Sequence, residues 1–247
     1  MQESMWSNLR TPRTLCWQIY NSLYGRLNRD STSLYCIAPG YGHRILECFF
    51  DDTSNTDAWQ KEVYQYAAHI MELEGLSTVY DVGCGSAYKL INYLGKFKTV
   101  GFDLPKTVKF LNERYPDRSW FEIDFCGQNM PEADLVICAD VIEHVLDPDQ
   151  LLARVAAVAG KYIILSTPDR NLLYSLSSPF RHGPPRNPWH IREWAFVEFE
   201  RYISRTFNIL DHRISNRGQA TQMMLLTRIP HMGLPLKTVF LTSLYCR

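Results

Sequence analysis

One segment constrains this chain more than any other: the nine residues from Val79 to Ala87, which read VYDVGCGSA. An apolar, β-branched run passes through Asp81 to Gly83 and Gly85, so a buried strand turns sharply into a helix that opens near Ala87. Such a turn directs backbone N–H groups at a helix N-terminus into an open crevice. The two glycines lack a Cβ atom and let a ligand approach the main chain. The pattern predicts a site for a nucleotide-like ligand.

A second acidic residue follows about one strand–helix–strand unit later. Asp103 ends the run 98–102, where a carboxylate can accept hydrogen bonds from both ribose hydroxyls. A dinucleotide fingerprint, G-x-G-x-x-G, requires a third glycine, but Tyr88 occupies that position. Asp81 would repel a pyrophosphate, whereas it can accept a hydrogen bond from an ammonium group. The residues therefore favour a ligand with an adenosine end and a cationic amino-acid end.

These two segments resemble the first two motifs of the class I S-adenosylmethionine-dependent methyltransferases, and the likeness extends from about Thr56 to Thr227. One departure is Ala87, which replaces the third glycine of a full G-x-G-x-G loop. The resemblance implies S-adenosylmethionine as the cofactor and S-adenosylhomocysteine as the product, and it places Asp124 opposite the adenine amino group. The cofactor-binding residues that it implies are Asp81, Gly83, Cys84, Gly85, Asp103, Leu104, Asp124, Phe125 and Asp140.

Composition limits the class of protein further. The chain has 247 residues, 46% of them hydrophobic, which suffices for one α/β domain with additions. Its formal net charge of zero gives no electrostatic signal for DNA, RNA or an anionic membrane. The seven cysteines include no C-x-x-C pair, and neither a signal peptide nor a run of about 18 apolar residues is found. We expect a cytoplasmic protein with no membrane or DNA partner.

Alternating strand and helix signals predict the organisation of the chain. We expect residues 1–55 to form a helical N-terminal extension or cap, residues 56–230 the methyltransferase domain with a substrate-loop insertion at about 168–192, and residues 231–247 a tail packed on it. The predicted elements are strands at 77–82, 97–102, 119–123, 133–139, 161–166, 207–214 and 219–229, and helices from Thr56 or Asp57 to about Glu74 and at 87–95, 105–114, 148–159 and 193–204. This order predicts a Rossmann-like α/β fold, a mostly parallel seven-stranded sheet with one antiparallel strand and helices on both faces.

Titratable residues follow the fourth predicted strand. Asp140, Glu143 and His144 have i, i+3 and i+4 spacing and share one face if a helical turn forms there. Carboxylates and an imidazole on one face can abstract a proton or bind a hard cation. His190, just before a predicted helix, is a second candidate base. We predict His144, His190 and Asp140 as the catalytic residues.

A proline-rich loop, residues 179–192, carries three arginines towards the same rim. Prolines reduce the entropy that is lost when a loop orders over a ligand, and guanidinium groups suit phosphate or carboxylate. Alternatively, the loop is a solvated basic segment that pairs with nearby glutamates. Aromatic faces can also hold a sulfonium by cation–π attraction, and Trp194 is one candidate. The predicted substrate-binding residues are Tyr35, Tyr41, Arg181, Arg186, Trp189 and Arg192.

The histidines and the resemblance together predict a biosynthetic enzyme that methylates an oxygen atom of a small polar metabolite, sugar-like or anionic, with a histidine as general base. The oxygen preference rests on the histidines, because an amine often loses its proton without help, and N-methylation stays open. Two alternatives stand beside this hypothesis. Asp140, Glu143, His144 and His190 also resemble the metal-binding set of small-RNA 3′-terminal 2′-O-methyltransferases, with Asp140 in place of a longer Glu. The other alternative is a non-catalytic cofactor-binding regulatory protein.

Overall fold

The computed structural model describes residues 34–46, 51–123 and 130–229 of the chain. The strands of its sheet are β1 Thr78–Val82, β2 Lys98–Asp103, β3 Ser119–Glu122, β4 Ala133–Ala139, β5 Ala159–Pro168, β6 Phe207–Asn216 and β7 Thr221–Arg228. The helices are α1 Lys61–Leu73, α2 Tyr88–Leu94, α3 Pro105–Arg114, α4 Pro148–Val158, α5 Arg170–Leu173 and α6 Phe196–Ile203.

The seven strands form one sheet in the order β3-β2-β1-β4-β5-β7-β6. Six strands are parallel to one another, and β7 is antiparallel to both of its neighbours. The predicted Rossmann-like fold is therefore confirmed. The strand order reverses between β1 and β4, and open α/β sheets bind ligands beyond the carboxyl ends of the strands at such a reversal.

Alternating side chains of the central strands pack into two cores, one on each face of the sheet. Tyr80 of β1 and Leu165 of β5 pack with α4 and α6, whereas Val79 and Ile164 pack with α1, α2 and α3. The central parallel strands are consequently buried on both sides, and they read as nearly continuous apolar runs. Helices on both faces of the sheet were predicted, and the prediction is confirmed.

Most element boundaries lie within two residues of the prediction, but α1 begins at Lys61 rather than after Thr56 or Asp57. Tertiary contacts hold the preceding residues outside the helix. The Asp57 carboxylate accepts a hydrogen bond from the Tyr93 hydroxyl at 2.9 Å, and Gln60 has a left-handed backbone, with φ 61°. Capping propensity alone therefore misplaced the start of this helix.

The segment 34–46 lies against the loop that precedes α6. Gly42 N–H donates to the His182 carbonyl at 2.7 Å, and Arg44 N–H donates to the Ile191 carbonyl at 2.8 Å. Residues 1–33 and 230–247 lie outside the described residues, so the helical extension and the packed tail stay predictions. Within the described ranges, no helix is both long enough and apolar enough to cross a membrane.

Candidate active site at the carboxyl ends of the strands

The turn after β1 needs glycine at two positions. Gly83 has φ 79°, and a Cβ atom there would lie 2.3 Å from Cγ2 of Val141. Gly85 has φ 52°, in the left-handed region that side chains disfavour. Ala87, which replaces the third glycine of the resembled motif, also adopts a left-handed conformation, with φ 55°, just before α2. The loop thus keeps the backbone path of a glycine-rich turn despite this replacement.

Asp103 joins the glycine loop to the end of β2. Its Oδ2 accepts a hydrogen bond from Gly85 N–H at 2.8 Å, and its Oδ1 accepts one from Leu104 N–H at 2.7 Å. Burial raises the pKa of this carboxyl, while the two N–H donors oppose that rise. Asp103 also lines the cavity described below. The carboxylate therefore lies where the sequence predicted a ribose acceptor.

Asp81, at the end of β1, is fully buried and only half satisfied. Its Oδ2 accepts a hydrogen bond from the Tyr64 hydroxyl at 2.9 Å, whereas its Oδ1 has no partner within the described part of the chain. Burial raises the pKa of Asp81 to about 7, and the nearby Lys89 ammonium opposes this rise. A buried acceptor without a donor is costly, and an ammonium group supplies the missing donor. The site thus fits the amino-acid end of S-adenosylmethionine.

A cavity of about 410 Å³ opens above these strand ends. Six of the residues predicted from sequence line it, namely Gly83, Cys84, Asp103, Leu104, Asp140 and His144. Burial raises the pKa of the Cys84 thiol well above its ordinary value, so the group stays protonated. Sequence reasoning missed Asp52, Gln60, Tyr64, Lys89, Ile123 and Arg154. No motif marks these six residues, because they enter the cavity from different elements through the fold. Asp124 and Phe125 lie outside the described residues.

The chain leaves β4 through Asp140, whose backbone is left-handed, with φ 54°. The Ser166 hydroxyl donates to Asp140 Oδ1 at 2.6 Å, and a single 3₁₀ turn follows at Ile142–His144. Asp140 and His144 line the cavity, but Glu143 is fully buried and accepts a hydrogen bond from Thr167 at 2.9 Å. The predicted common face for all three residues is therefore wrong, because Asp140 lies before the helical turn and not in it.

His144 lines the cavity, and one of its ring nitrogens has no hydrogen-bond partner among the described residues. Its Nδ1 lies 2.9 Å from the Trp189 carbonyl, which can only accept a hydrogen bond, so Nδ1 carries the proton. Its Nε2 has no hydrogen-bond partner among the described residues, and the nearest carboxylate oxygen, Glu143 Oε1, is 4.0 Å away. Burial, together with the neighbouring His190, lowers the pKa of His144 to about 4. The imidazole is therefore neutral at pH 7 and can accept a proton at Nε2.

His190 is buried beside His144, and both of its ring nitrogens are occupied. Nδ1 lies 2.6 Å from Glu193 Oε1, and Nε2 lies 2.9 Å from the Asn187 amide nitrogen. Asn187 Oδ1 accepts a hydrogen bond from Trp189 N–H, which fixes the orientation of this amide. The two imidazole rings contact edge to face, with centroids 4.9 Å apart. His190 therefore supports the histidine that faces the cavity.

One backbone contact brings the two histidine segments together, since Ile191 N–H donates to the Glu143 carbonyl at 2.7 Å. As a result, ligand atoms of Glu143, His144 and His190 lie within 4.8 Å of one another. Glu143 Oε1 is buried and has no hydrogen-bond partner in the described segments, and burial, together with Asp140, raises the pKa of the Glu143 carboxyl. Asp140 is not part of this cluster. Three of the four residues in the predicted metal set thus converge.

None of the six predicted substrate-binding residues lines the cavity formed by the described residues. The Arg192 guanidinium donates to the Val145 and Leu146 carbonyls and stacks on Tyr35 at 4.5 Å. The Tyr41 ring lies under Arg170, also at 4.5 Å. Arg181 donates a hydrogen bond to the Tyr174 carbonyl, and Arg186 is exposed. The Trp189 carbonyl accepts a hydrogen bond from His144, and Trp194 is fully buried in a core. The assigned substrate roles stay predictions.

Comparison with known proteins places this site in a family. A sequence model of the methyltransferase domain matches residues 50–211. A search of curated proteins found no significant match. The fold is similar to that of magnesium protoporphyrin IX methyltransferase from Synechocystis PCC 6803 with bound S-adenosylhomocysteine, with a TM-score of 0.55 at 16% identity over 88% of this chain and 100% of that one.

Two further solved structures have the same fold. A S-adenosylmethionine-dependent methyltransferase from Clostridium acetobutylicum ATCC 824 gives a TM-score of 0.53 at 14% identity, over 86% of this chain and 99% of that one. The N-methyltransferase NodS from Bradyrhizobium japonicum WM9, in complex with S-adenosylhomocysteine, gives a TM-score of 0.51 at 12% identity, over 73% of this chain and 95% of that one. The family match, the fold and the glycine loop together define the class. The chain belongs to the methyltransferase-domain family and is a class I S-adenosylmethionine-dependent methyltransferase.

Proposed function

We propose that this enzyme methylates an oxygen atom of a small polar metabolite and that His144 is the general base. One observation carries the proposal: His144 lines the same cavity as the glycine loop and Asp140, and its Nε2 has no hydrogen-bond partner among the described residues. S-adenosylmethionine supplies a methyl carbon that its sulfonium has already activated. The protein therefore has to align the acceptor, exclude water and remove the acceptor's proton. A hydroxyl acceptor needs that proton removal most.

The surroundings of His144 fix its tautomer and keep the ring neutral. The Trp189 carbonyl fixes the tautomer by accepting the hydrogen bond from Nδ1–H, so the ring lone pair that can take a proton is on Nε2. A pKa of about 4 keeps the ring neutral across the physiological range. Glu143 Oε1 lies 4.0 Å from Nε2, which is too far for a hydrogen bond, so Nε2 stays available to a hydroxyl of the acceptor. His190, with both nitrogens occupied, would hold the ring in place rather than act as the base.

The cofactor site and the acceptor site divide the cavity. We assign the glycine loop, Asp81 and Asp103 to the cofactor, and the turn after β4, with Asp140 and His144, to the acceptor. A single cavity of about 410 Å³ lies at the small end of the range for ligand pockets, which favours a small acceptor. Zero net charge argues in the same direction, because a nucleic-acid surface is normally basic. None of the arginines of loop 179–192 lines the cavity formed by the described residues, so the proposal favours an uncharged polar acceptor, such as a sugar-like one, over an anionic one.

The proposal is tested by methyl transfer to real metabolites. The enzyme is incubated with methyl-labelled S-adenosylmethionine and fractionated cell metabolites, and the labelled product is identified by mass. His144→Gln should then lower turnover on that acceptor by about a hundredfold or more, because proton transfer by a positioned base contributes roughly 10² to 10⁴. The same change at the exposed His69 is the matched control and should leave turnover unchanged. Wild-type turnover in His144→Gln, or a labelled N-methyl product, would contradict the proposal.

A second function is favoured by a different observation, the convergence of Glu143, His144 and His190 within 4.8 Å. This set could hold a divalent cation, and a metal-dependent RNA 2′-O-methyltransferase is then the alternative. The donors fit only in part, because His190 Nε2 already accepts from Asn187. Full activity after treatment with chelator removes this alternative, whereas loss of activity that Mg²⁺ or Mn²⁺ restores would favour it. Turnover on any acceptor would exclude a purely regulatory, non-catalytic protein.

A further inference from the structure

One wall of the cavity comes from a segment outside the sheet, the strap, which we define as residues 51–60. Three contacts hold it over the glycine loop and α2. The Ser86 hydroxyl donates to the Asn55 carbonyl at 2.5 Å, the Lys89 ammonium donates to the Thr56 carbonyl at 3.2 Å, and the Tyr93 hydroxyl donates to Asp57. The strap is therefore fixed against the loop.

Asp52 extends from the strap directly onto the glycine loop. A Cβ atom at Gly85 would lie 2.0 Å from Asp52 Oδ2 and 2.5 Å from Asp52 Cγ, so the missing side chain of Gly85 leaves the space that this carboxylate fills. Asp52 is partly buried and lines the cavity together with Asp103. The loop thus has carboxylates on two sides, one from β2 and one from the strap.

The cavity as a whole is acidic. Among the described residues that line it, four are aspartates and two, Lys89 and Arg154, are basic. Burial and the nearby Asp103 raise the pKa of Asp52 to about 6, although Lys89 opposes this rise. Carboxylates held close together in a partly buried space are unfavourable unless a cation joins them. The cavity is therefore built for a ligand with a positive charge.

The position of Asp52 indicates which part of the ligand it meets. It lies beside Gly85 and near Lys89, above the end of β1, the strand that carries the half-satisfied Asp81. Leu104 after β2 and Ile123 after β3 give the cavity an apolar wall that suits an adenine ring. The carboxylate of Asp52 therefore suits the cationic amino-acid end of the cofactor better than its adenine ring.

We propose that Asp52, which the strap places beside the glycine loop, binds the ammonium group of the cofactor's amino-acid end. The inference rests on S-adenosylmethionine as cofactor and is independent of the acceptor and of the histidine base. Its test uses binding alone, so a failure of the proposed oxygen methylation would not affect the result.

Isothermal titration calorimetry compares two ligands on the same protein. S-adenosylhomocysteine carries the amino-acid end and does not react, whereas 5′-methylthioadenosine keeps the adenosyl thioether and lacks that end. Asp52→Asn should lower the affinity for S-adenosylhomocysteine at least tenfold, as expected for a lost hydrogen bond to a charged group. The affinity for 5′-methylthioadenosine should be unchanged. Asp51→Asn is the matched control. Asp51 is an exposed strap residue that pairs with Lys106 at 2.6 Å, and its replacement should change neither affinity.

Two results would overturn the proposal. Unchanged affinity for S-adenosylhomocysteine in Asp52→Asn would show that the carboxylate does not meet the ligand. An equal loss for both ligands would show that Asp52 only shapes the loop or contacts the ribose. If circular dichroism shows that Asp52→Asn does not fold, Asp52→Ala removes the carboxylate without adding an amide beside Lys89. In Asp52→Ala, the Kd for S-adenosylhomocysteine should again rise relative to the Kd for 5′-methylthioadenosine, and an unchanged ratio of the two values would overturn the proposal.

Discussion

Replacement of Asp81 by Asn should stabilise the ligand-free enzyme at pH 8 and lower its affinity for the cofactor. The reason is that Asp81 is fully buried and lies near the carboxyls of Asp103 and Asp52. In the part of the chain that the structure describes, the Tyr64 hydroxyl is its one hydrogen-bond donor and Lys89 is a nearby cation. Its folded pKa of about 7 stands above its ordinary value of 3.8. Protonated Asp81 does not destabilise the folded state, so the unfolding free energy is at its full value below pH 3.8. It falls as the pH rises through 7, because the carboxyl ionises less readily in the folded state than in the unfolded state.

The size of the effect follows from the pKa. One pKa unit corresponds to about 1.4 kcal/mol, so an ionised Asp81 at pH 8 costs the folded state about 4 kcal/mol. Asn keeps an acceptor for the Tyr64 hydroxyl, but its amide N–H₂ would replace the unpartnered Oδ1 and lack an acceptor, at a cost of roughly 1 to 3 kcal/mol. The net gain in unfolding free energy at pH 8 is about 1 to 3 kcal/mol. Most of the wild-type penalty arises above pH 5, so the gain should vanish at pH 5.

Urea denaturation of the ligand-free protein at pH 5 and pH 8 measures this difference. Asp134→Asn is a control of opposite sign, because N–H and hydroxyl donors of Ser77 and Thr78 lower the pKa of Asp134 to about 2. Asp134 is ionised in the folded and the unfolded state at both pH 5 and pH 8, so it contributes the same stabilisation at each. Asp134→Asn should therefore destabilise the protein equally at the two pH values. The reasoning is refuted if Asp81→Asn also destabilises the protein by the same amount at pH 5 and pH 8.

Two further changes test the site and its support. Asp103→Ala removes both the acceptor of the Gly85 N–H group and the predicted ribose acceptor. Calorimetry should show that the affinity for S-adenosylhomocysteine falls more than a hundredfold, since two charged hydrogen bonds contribute about 3 kcal/mol or more. Wild-type affinity would contradict the placement of Asp103 at the ribose. Arg170→Met leaves the largely buried Glu198, 2.7 Å from the guanidinium, without its cation, and urea denaturation at pH 7 should show a loss of about 3 kcal/mol. An unchanged midpoint there would mean that this ion pair contributes nothing.

Local signals in the sequence were sufficient for the scaffold. Pro105 at the first position of α3 and the apolar run of β4 gave boundaries that the structure reproduces at 105–114 and 133–139. The two glycines and Asp103 predicted the loop because backbone conformation and strand ends are decided by neighbouring residues. Where a distant residue intervened, as at the start of α1, the local signal failed.

The sequence by itself therefore determined the class of fold, the glycine loop and the strand-end carboxylates, because each depends on residues close together in the chain. Only the tertiary structure decided the roles of the histidines. His144 and His190 are 46 positions apart, and their environments depend on the contact of Ile191 with Glu143. Asp52, likewise, carries no motif, and it becomes a cavity residue only because the strap folds onto Gly85. Long-range packing sets which ring nitrogen is unoccupied and which carboxylate is half satisfied, and no local pattern encodes it.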